Sequence, residues 1–258
     1  MPGDELVPRP ARGRVFTGSA RVRLADLSRS GRLRLDAIAR VVQDVASDDA
    51  ADAGQQPDRA WVVRRLAIEI GDDRAVRLRD DLTLVTWCSG VGPRWAERRT
   101  DVELGATTVA RSVAVWVLVD GATGRPVPLG PEFDAAYGEA AGGRRVGQRL
   151  RHEAPPPGAS AAPWPVRITD FDLLGHVNNA AYWMPVEDAL AALDPRRGVE
   201  RAEIEFRGGI DPGEPVELRR SDGTGGDDDL RLWLTVAGEV RASILVHLAP
   251  AERAPRRF

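Results

Sequence analysis

Two stretches of this 258-residue chain, 144 positions apart, carry the same punctuation. Asp26 answers to Asp170, Gly31 to Gly175 and Gln43 to Glu187. In the same register Ser28 falls on Asp172, and Arg32 falls on His176. Farther on, Ala67-Ile68-Glu69-Ile70 matches Glu203-Ile204-Glu205-Phe206 at an offset of 136. The change of offset makes the first half longer by about one loop after its helix. Repetition on this scale points to a tandem duplication, so whatever one half folds into, the other should build as well. Only the second copy keeps both a carboxylate and an imidazole at the matched positions. The first reads as a scaffold.

Hydrophobic periodicity gives each half the same order of elements. In the first, Phe16 to Leu24 alternates weakly as a strand, and a turn follows at 26–31. Asp36 is placed to cap a helix whose face is Ala37, Ile38, Val41, Val42, Val45 and Ala46. That helix should end in the Ala/Asp/Gly-rich segment 47–57. Strands are expected at 61–70, 81–89, 96–104 and 108–119, with Asp120-Gly121 closing the last. One helix followed by four strands describes an α+β unit, with the helix lying against an antiparallel sheet. Residues 138–164, rich in Gly, Ala, Pro and Arg, read as a linker stiffened by Pro155-Pro156-Pro157. The second half then offers a short strand at 166–169 and a helix from Asn178 to about Leu193. Its strands are expected at 201–206, 214–220, 230–236 and 240–248, with a Gly/Asp hairpin loop at 223–229.

Composition removes several functions. The net charge is −3, which argues against a general nucleic-acid binder. All 36 basic residues are Arg, so no lysine-bearing phosphate loop exists. Cys88 is the one cysteine, which excludes an internal disulfide and suits a reducing cytoplasm. Its apolar surroundings make it a buried structural thiol. No apolar run approaches the roughly 20 residues needed to span a bilayer. The residues at the N-terminus lack a basic and then apolar signal pattern. His152, His176 and His247 are scattered and only His176 has polar company, so neither a metal site nor any other cofactor is expected.

That company is the chemically loaded stretch of the chain. Asp170, Asp172, Gly175, His176, Asn178 and Asn179 fall within ten residues, immediately before the second helix. Asn178 and Asn179 suit its N-cap. Free backbone N–H groups at a helix start favour developing negative charge, here those from Gly175 to Val177. A glycine at 175 lets the backbone approach a substrate carbonyl closely. Asp172 can act as a general base for water or attack an acyl group directly. His176 can polarise the water, orient Asp172 or protonate a leaving group. Glu187 stands between a catalytic partner and a polar contact across the two halves, and Gln43 shares its ambiguity. Asp170 reads as structural, while Tyr182 and Trp183 read as core or tunnel wall.

Asp172, His176, Val177, Asn178, Asn179, Tyr182 and Glu187 resemble the signature of the acyl-ACP thioesterases of the tandem hotdog type. The segments Gly31 to Ala46, 61–66 and Thr86-Trp87 are similar to the first domain of that family. The resemblance implies an α+β fold of two tandem hotdog folds related by a pseudo-twofold axis, each an antiparallel sheet wrapped around a central helix. It implies a scaffold domain with an acyl pocket at 1–137, the linker at 138–164, and a catalytic domain at 165–258. It also implies one active site built on Asp172 and His176. There are two departures. Leu174 stands where the family's plant members carry an Asn, and Gly209 stands where they carry an acid.

The reaction implied is hydrolysis of fatty acyl-ACP to a free fatty acid and the carrier, in fatty acid biosynthesis. An acyl-CoA thioesterase, a non-catalytic acyl-binding hotdog and a hotdog dehydratase stand as alternatives. The pattern expected around a dehydratase histidine is not found. The partner implied is an acyl carrier protein, with a homodimer also allowed. Acyl carriers are acidic, so Arg144-Arg145, Arg149, Arg151 and Arg196-Arg197 are docking candidates, with an ordinary solvated arginine surface as the competing reading.

Overall fold

The computed structural model describes residues 6–54, 58–193, 198–222 and 229–249. Its first half contains β1 (Val15–Arg21), α1 (Leu35–Asp52), β2 (Arg59–Ile70), β3 (Asp81–Val91), β4 (Trp95–Leu104) and β5 (Thr107–Asp120). A further helix, α2 (Pro131–Ala141), closes that half. The second half contains β6 (Ser160–Trp164), α3 (Met184–Ala191), β7 (Val199–Phe206), β8 (Val216–Asp222), β9 (Asp229–Val236) and β10 (Glu239–Leu248). All ten strands form one antiparallel sheet in the order β1-β3-β4-β5-β2-β7-β10-β9-β8-β6. Read outward from the centre, the two halves have the same order: β2-β5-β4-β3-β1 and β7-β10-β9-β8-β6. The chain is two tandem hotdog folds that share a sheet.

Strand alternation explains the layers. Leu66 and Ile68 of β2, Ile204 of β7, Ile244 of β10 and Leu232 of β9 point to one face and are buried there. On that face they meet Ile38, Val42 and Val45 of α1 and Val186 and Ala189 of α3. The opposite face keeps the intervening polar residues. Arg201 reaches Glu69 across the central junction at 2.7 Å, and Glu203 at 3.2 Å. Among the described residues no helix is long and apolar enough to cross a membrane.

The junction pairs β2 with β7, placing Ala67 opposite Glu203. Those two residues match each other at the offset of 136, so the pseudo-twofold axis passes through this pair.

Several expectations are corrected. The extra length of the first half lies at least partly in the helix, since α1 has 18 residues and α3 has 8. The added turns are tied down by the buried Asp49, which accepts from Arg14 at 2.6 Å and from the Tyr137 hydroxyl at 3.0 Å. Asp36 lies inside the first turn of α1 rather than at its cap, paired with Arg34. Residues 166–169 form no strand. The Asp170 carboxylate accepts the Arg167 N–H at 2.7 Å and winds the chain into a 3-10 turn over Ile168–Asp170.

The edge strand of the second half is Ser160–Trp164 instead, within the expected linker. The other end of that linker, 138–141, belongs to α2. Between them residues 143–153 form a strap across the polar face. Arg144 donates to the Ser89 carbonyl at 3.0 Å and pairs with Glu97. Farther along, the fully buried Glu205 accepts the N–H groups of Arg151 and His152, and Trp233 donates to the Glu153 carbonyl at 2.9 Å. Folding also gives the other histidines polar company. His152 Nδ1 lies 3.1 Å from Ser243 Oγ, and His247 Nδ1 lies 2.7 Å from Asp229 Oδ1.

The expected second helix starts late. Residues Ala181–Trp183 form a 3-10 turn, and α3 begins at Met184. Pro185 has no N–H and its ring crowds the preceding turn, so it is tolerated only at a helix start. Tyr182 and Trp183 are core: both are buried, and Tyr182 stacks edge-on against Phe206 at 5.2 Å. Most of the Gly/Asp hairpin loop, 223–228, and Arg196-Arg197 lie outside the described residues.

Candidate active site

Asp172 and His176 face each other across a short hairpin. The Asp172 N–H donates to the His176 carbonyl at 3.0 Å, and the Gly175 N–H donates to the Asp172 carbonyl at 3.0 Å. Phe171 bridges Val177 just behind them. The turn requires a left-handed residue before His176, and Gly175 supplies it with φ of 82°. The first half builds the same hairpin. Ser28 N–H donates to the Arg32 carbonyl, Gly31 N–H donates to the Ser28 carbonyl, and Gly31 has φ of 84°. The 144-residue register therefore matches hydrogen bond for hydrogen bond, and the two copies differ in side chains.

Both oxygens of Asp172 are held. Oδ1 accepts the Leu174 N–H at 2.9 Å, and Oδ2 accepts the Asn178 side-chain amide at 3.2 Å. Two hydrogen bonds donated to the carboxylate, one to each oxygen, fix its aim. Asn178 also accepts the Ala180 N–H at 2.9 Å through Oδ1. It thus closes a local turn onto its own backbone just ahead of the 3-10 turn instead of capping α3, and braces Asp172 with its other atom. Asn179 caps no helix among the described residues. Its amide crosses to the first half and donates to Gln43 Oε1 at 3.1 Å.

His176 is held from another direction. Its Nδ1 lies 2.8 Å from Asp211 Oδ1, while Asp172 makes its own bonds elsewhere. Asp211 is in turn fixed by its N–H donating to Glu214 Oε2 at 2.8 Å. A Cβ at Gly209 would stand 3.4 Å from His176 Nδ1. The position where the family's plant members carry an acid is therefore directly beside the ring, and here a carboxylate two residues later fills the gap. Asp211 was missed in the sequence because Asp211-Pro212-Gly213 reads as an ordinary turn. Its distance of two residues from the missing acid was the available signal. Leu174, at the other departure, is exposed and brings no polar group.

The expected oxyanion donors are only partly available. The N–H groups of Gly175 and Val177 are spent on the carbonyls of Asp172 and Ile210. The N–H groups of His176 and Asn179 have no acceptor among the described residues.

Glu187 sits away from this cluster. Its Oε1 accepts the Leu35 N–H at 2.7 Å and its Oε2 meets Arg32 at 2.5 Å. From α3 it caps α1 of the other half, where no side chain of α1 itself does so. Gln43 mirrors it, holding Asn179 at the position that matches Leu35.

Cavities of about 70 Å³ and 990 Å³ open on the molecule, and neither is lined by Asp172 or His176. The hairpin itself is open, with the side chains of His176 and Asp211 57% and 61% exposed. A substrate can reach it from solvent.

The doubled hotdog sheet, with one hairpin keeping Asp and His, defines a tandem hotdog thioesterase. Residues 13–137 match the acyl-ACP thioesterase N-terminal domain and residues 156–246 match the C-terminal domain. The chain belongs to the acyl-ACP thioesterase family and is a thioester hydrolase. It is 31% identical over 242 residues to the uncharacterized protein Rv2001 of Mycobacterium tuberculosis, covering 93% of this chain and 95% of that one. In fold it is similar to a 12:0-ACP thioesterase from Umbellularia californica, with a TM-score of 0.77, 16% identity, and 93% and 98% of the two chains covered. An acyl-ACP thioesterase from Bacteroides thetaiotaomicron gives 0.76 and 18%, covering 91% and 98%.

Proposed function

We propose that the protein hydrolyses fatty acyl thioesters carried on acyl carrier protein, with the reaction centred on the 172–176 hairpin. The observation that carries this reading is the pair of fixed groups on one open turn: Asp172 held by Leu174 and Asn178, and His176 held by Asp211. Asp172 takes a proton from water as its oxygen adds to the thioester carbonyl. The oxyanion that forms is met by the N–H groups of His176 and Asn179. One donor of this kind is typically worth about 10²–10³ in rate. Collapse breaks the C–S bond, and the proton gained by Asp172 passes by way of His176 Nε2 to the departing thiolate. The products are the fatty acid and the free thiol of the carrier.

An acidic carrier is favoured by the charge around the end of β7. Arg64 donates to the Phe206 carbonyl at 2.8 Å, and Arg207 and Arg241 adjoin Gly208. Burial, and after it the neighbouring Arg207, push the Arg64 guanidinium below its usual range, while Arg207 and Arg241 are shared with Glu205 and Glu214. Such a patch steers an acidic partner toward the loop that carries Asp211.

Turnover of matched acyl-ACP and acyl-CoA substrates tests the carrier: a clear preference for the CoA ester removes the ACP assignment. Asp172→Asn should lower kcat by at least about 10²-fold, the scale of one positioned acid/base group. Retained activity in that variant would move the reaction away from this hairpin.

A further inference from the structure

The hairpin that lost its acid and imidazole still borders a large cleft. A cavity of about 990 Å³ lies between the 27–32 turn, the residues following β2, and α3. Its position is the pseudo-twofold counterpart of the catalytic turn. A volume of this order suits a small-molecule ligand.

The lining is amphipathic. Leu27, Ile70, Leu190 and Val199 supply an apolar wall. Arg29, Arg32, Arg74 and Arg77 supply cations. Arg29 makes no hydrogen bond or ion pair among the described residues, and Arg77 bonds through its guanidinium only to the carbonyls of Arg74 and Val76. Those two charges are not neutralised by any carboxylate there. Arg32, deeper in, is shared with Glu187. Asp73 is buried in the same wall, and its Oδ2 has no hydrogen-bond partner among the described residues. Burial pushes the Asp73 carboxyl above its usual range, against the opposing pull of Arg32 and Arg74.

We infer that this cleft is a second, non-hydrolytic binding site for a long-chain carboxylate, with the head group on Arg29 and Arg77 and the chain along the Leu27–Leu190 wall. Ser28 and Arg32 stand where the catalytic copy has its Asp and His, so a bound acyl compound does not meet that pair here. The choice of a fatty carboxylate, the product of the reaction, rests on the thioester-hydrolase reading. The site itself rests on the cleft and its unneutralised arginines.

Dodecanoate below its micelle concentration is the probe, followed by calorimetry and by a fluorophore attached at Ser30→Cys. Cys88 is buried and stays unlabelled. The label should respond to dodecanoate and not to dodecyltrimethylammonium. Combining Arg29→Glu with Arg77→Glu should weaken that response at least tenfold, with kcat at low product unchanged. An equal response to the cationic amphiphile, or an undiminished affinity in the double variant, overturns the site. Binding is measured without turnover, so an inactive Asp172→Asn protein that still binds leaves this inference standing, and a catalytically normal protein without binding removes it alone.

Discussion

Asp211 approaches His176 from the loop after β7, whereas an acid at 209 would stand directly beside the ring. Both partners are more than half exposed, so water screens the charge term and the bond acts mainly on orientation and tautomer. Asp211→Ala should therefore lower kcat by about tenfold and leave KM nearly unchanged, less than the loss of a proton-transfer group. Adding Gly209→Glu to that variant should restore part of the rate, because the new carboxylate would start 3.4 Å from Nδ1 at its Cβ. Wild-type kcat in Asp211→Ala would mean that the ring needs no carboxylate behind it. A second prediction concerns Cys88. Burial pushes its thiol up to about 11, so the folded state keeps the proton that an unfolded thiol sheds above about 8.5. Its contribution to stability is full below that value and is lost as pH rises through 11. At pH 8 the native protein should resist alkylation that goes to completion in urea. Rapid labelling of native protein would show the thiol to be accessible and ionised.

Between elements, the contact that joins the halves is made by a side chain capping a helix it does not belong to. Glu187 of α3 gives α1 its missing N-terminal acceptor and holds Arg32. Removing an N-cap acceptor costs about 1 kcal/mol, and stranding a partly buried arginine adds to it. Glu187→Ala should destabilise by about 2 kcal/mol in urea unfolding. Glu187→Gln should cost less, since an amide oxygen can still accept the Leu35 N–H. Equal losses in both would place the energy in the ion pair. The sequence showed Glu187 and Gln43 as counterparts but not what each touches, because a contact 152 residues away leaves no local periodicity. The hairpin was legible for the opposite reason: its glycine, its carboxylate and its turn are neighbours in the chain. Strand β6 was not legible, since Ser160–Trp164 lies at the sheet edge and contains Pro163, which no central strand tolerates. The late start of α3 was visible in Pro185, whose placement at a helix start is a steric rule.

At the scale of the molecule, the offset of 136 that aligned Ala67 with Glu203 also located the axis, because those residues pair across β2 and β7. The sheet runs unbroken through that pair, and the 143–153 strap crosses from Glu97 to Trp233 on its polar face. Neither half can melt without exposing the backbone edge and apolar face of the other. Ile204 is the sharpest probe of this coupling. It is fully buried and sits opposite Leu66 on the helix-facing side of the junction. Truncation to alanine leaves a cavity that neighbours on two packed strands cannot collapse into, at a cost of about 2–5 kcal/mol. If the halves are one cooperative unit, Ile204→Ala should lower the Tm in a single calorimetric transition whose van't Hoff and calorimetric enthalpies agree. Two separated transitions, with only the second half shifted, would mean that each hotdog is stable by itself. In that case the shared sheet is an assembly of two domains, and the cross-half contacts of Glu187 and Asn179 position the site without holding the fold together.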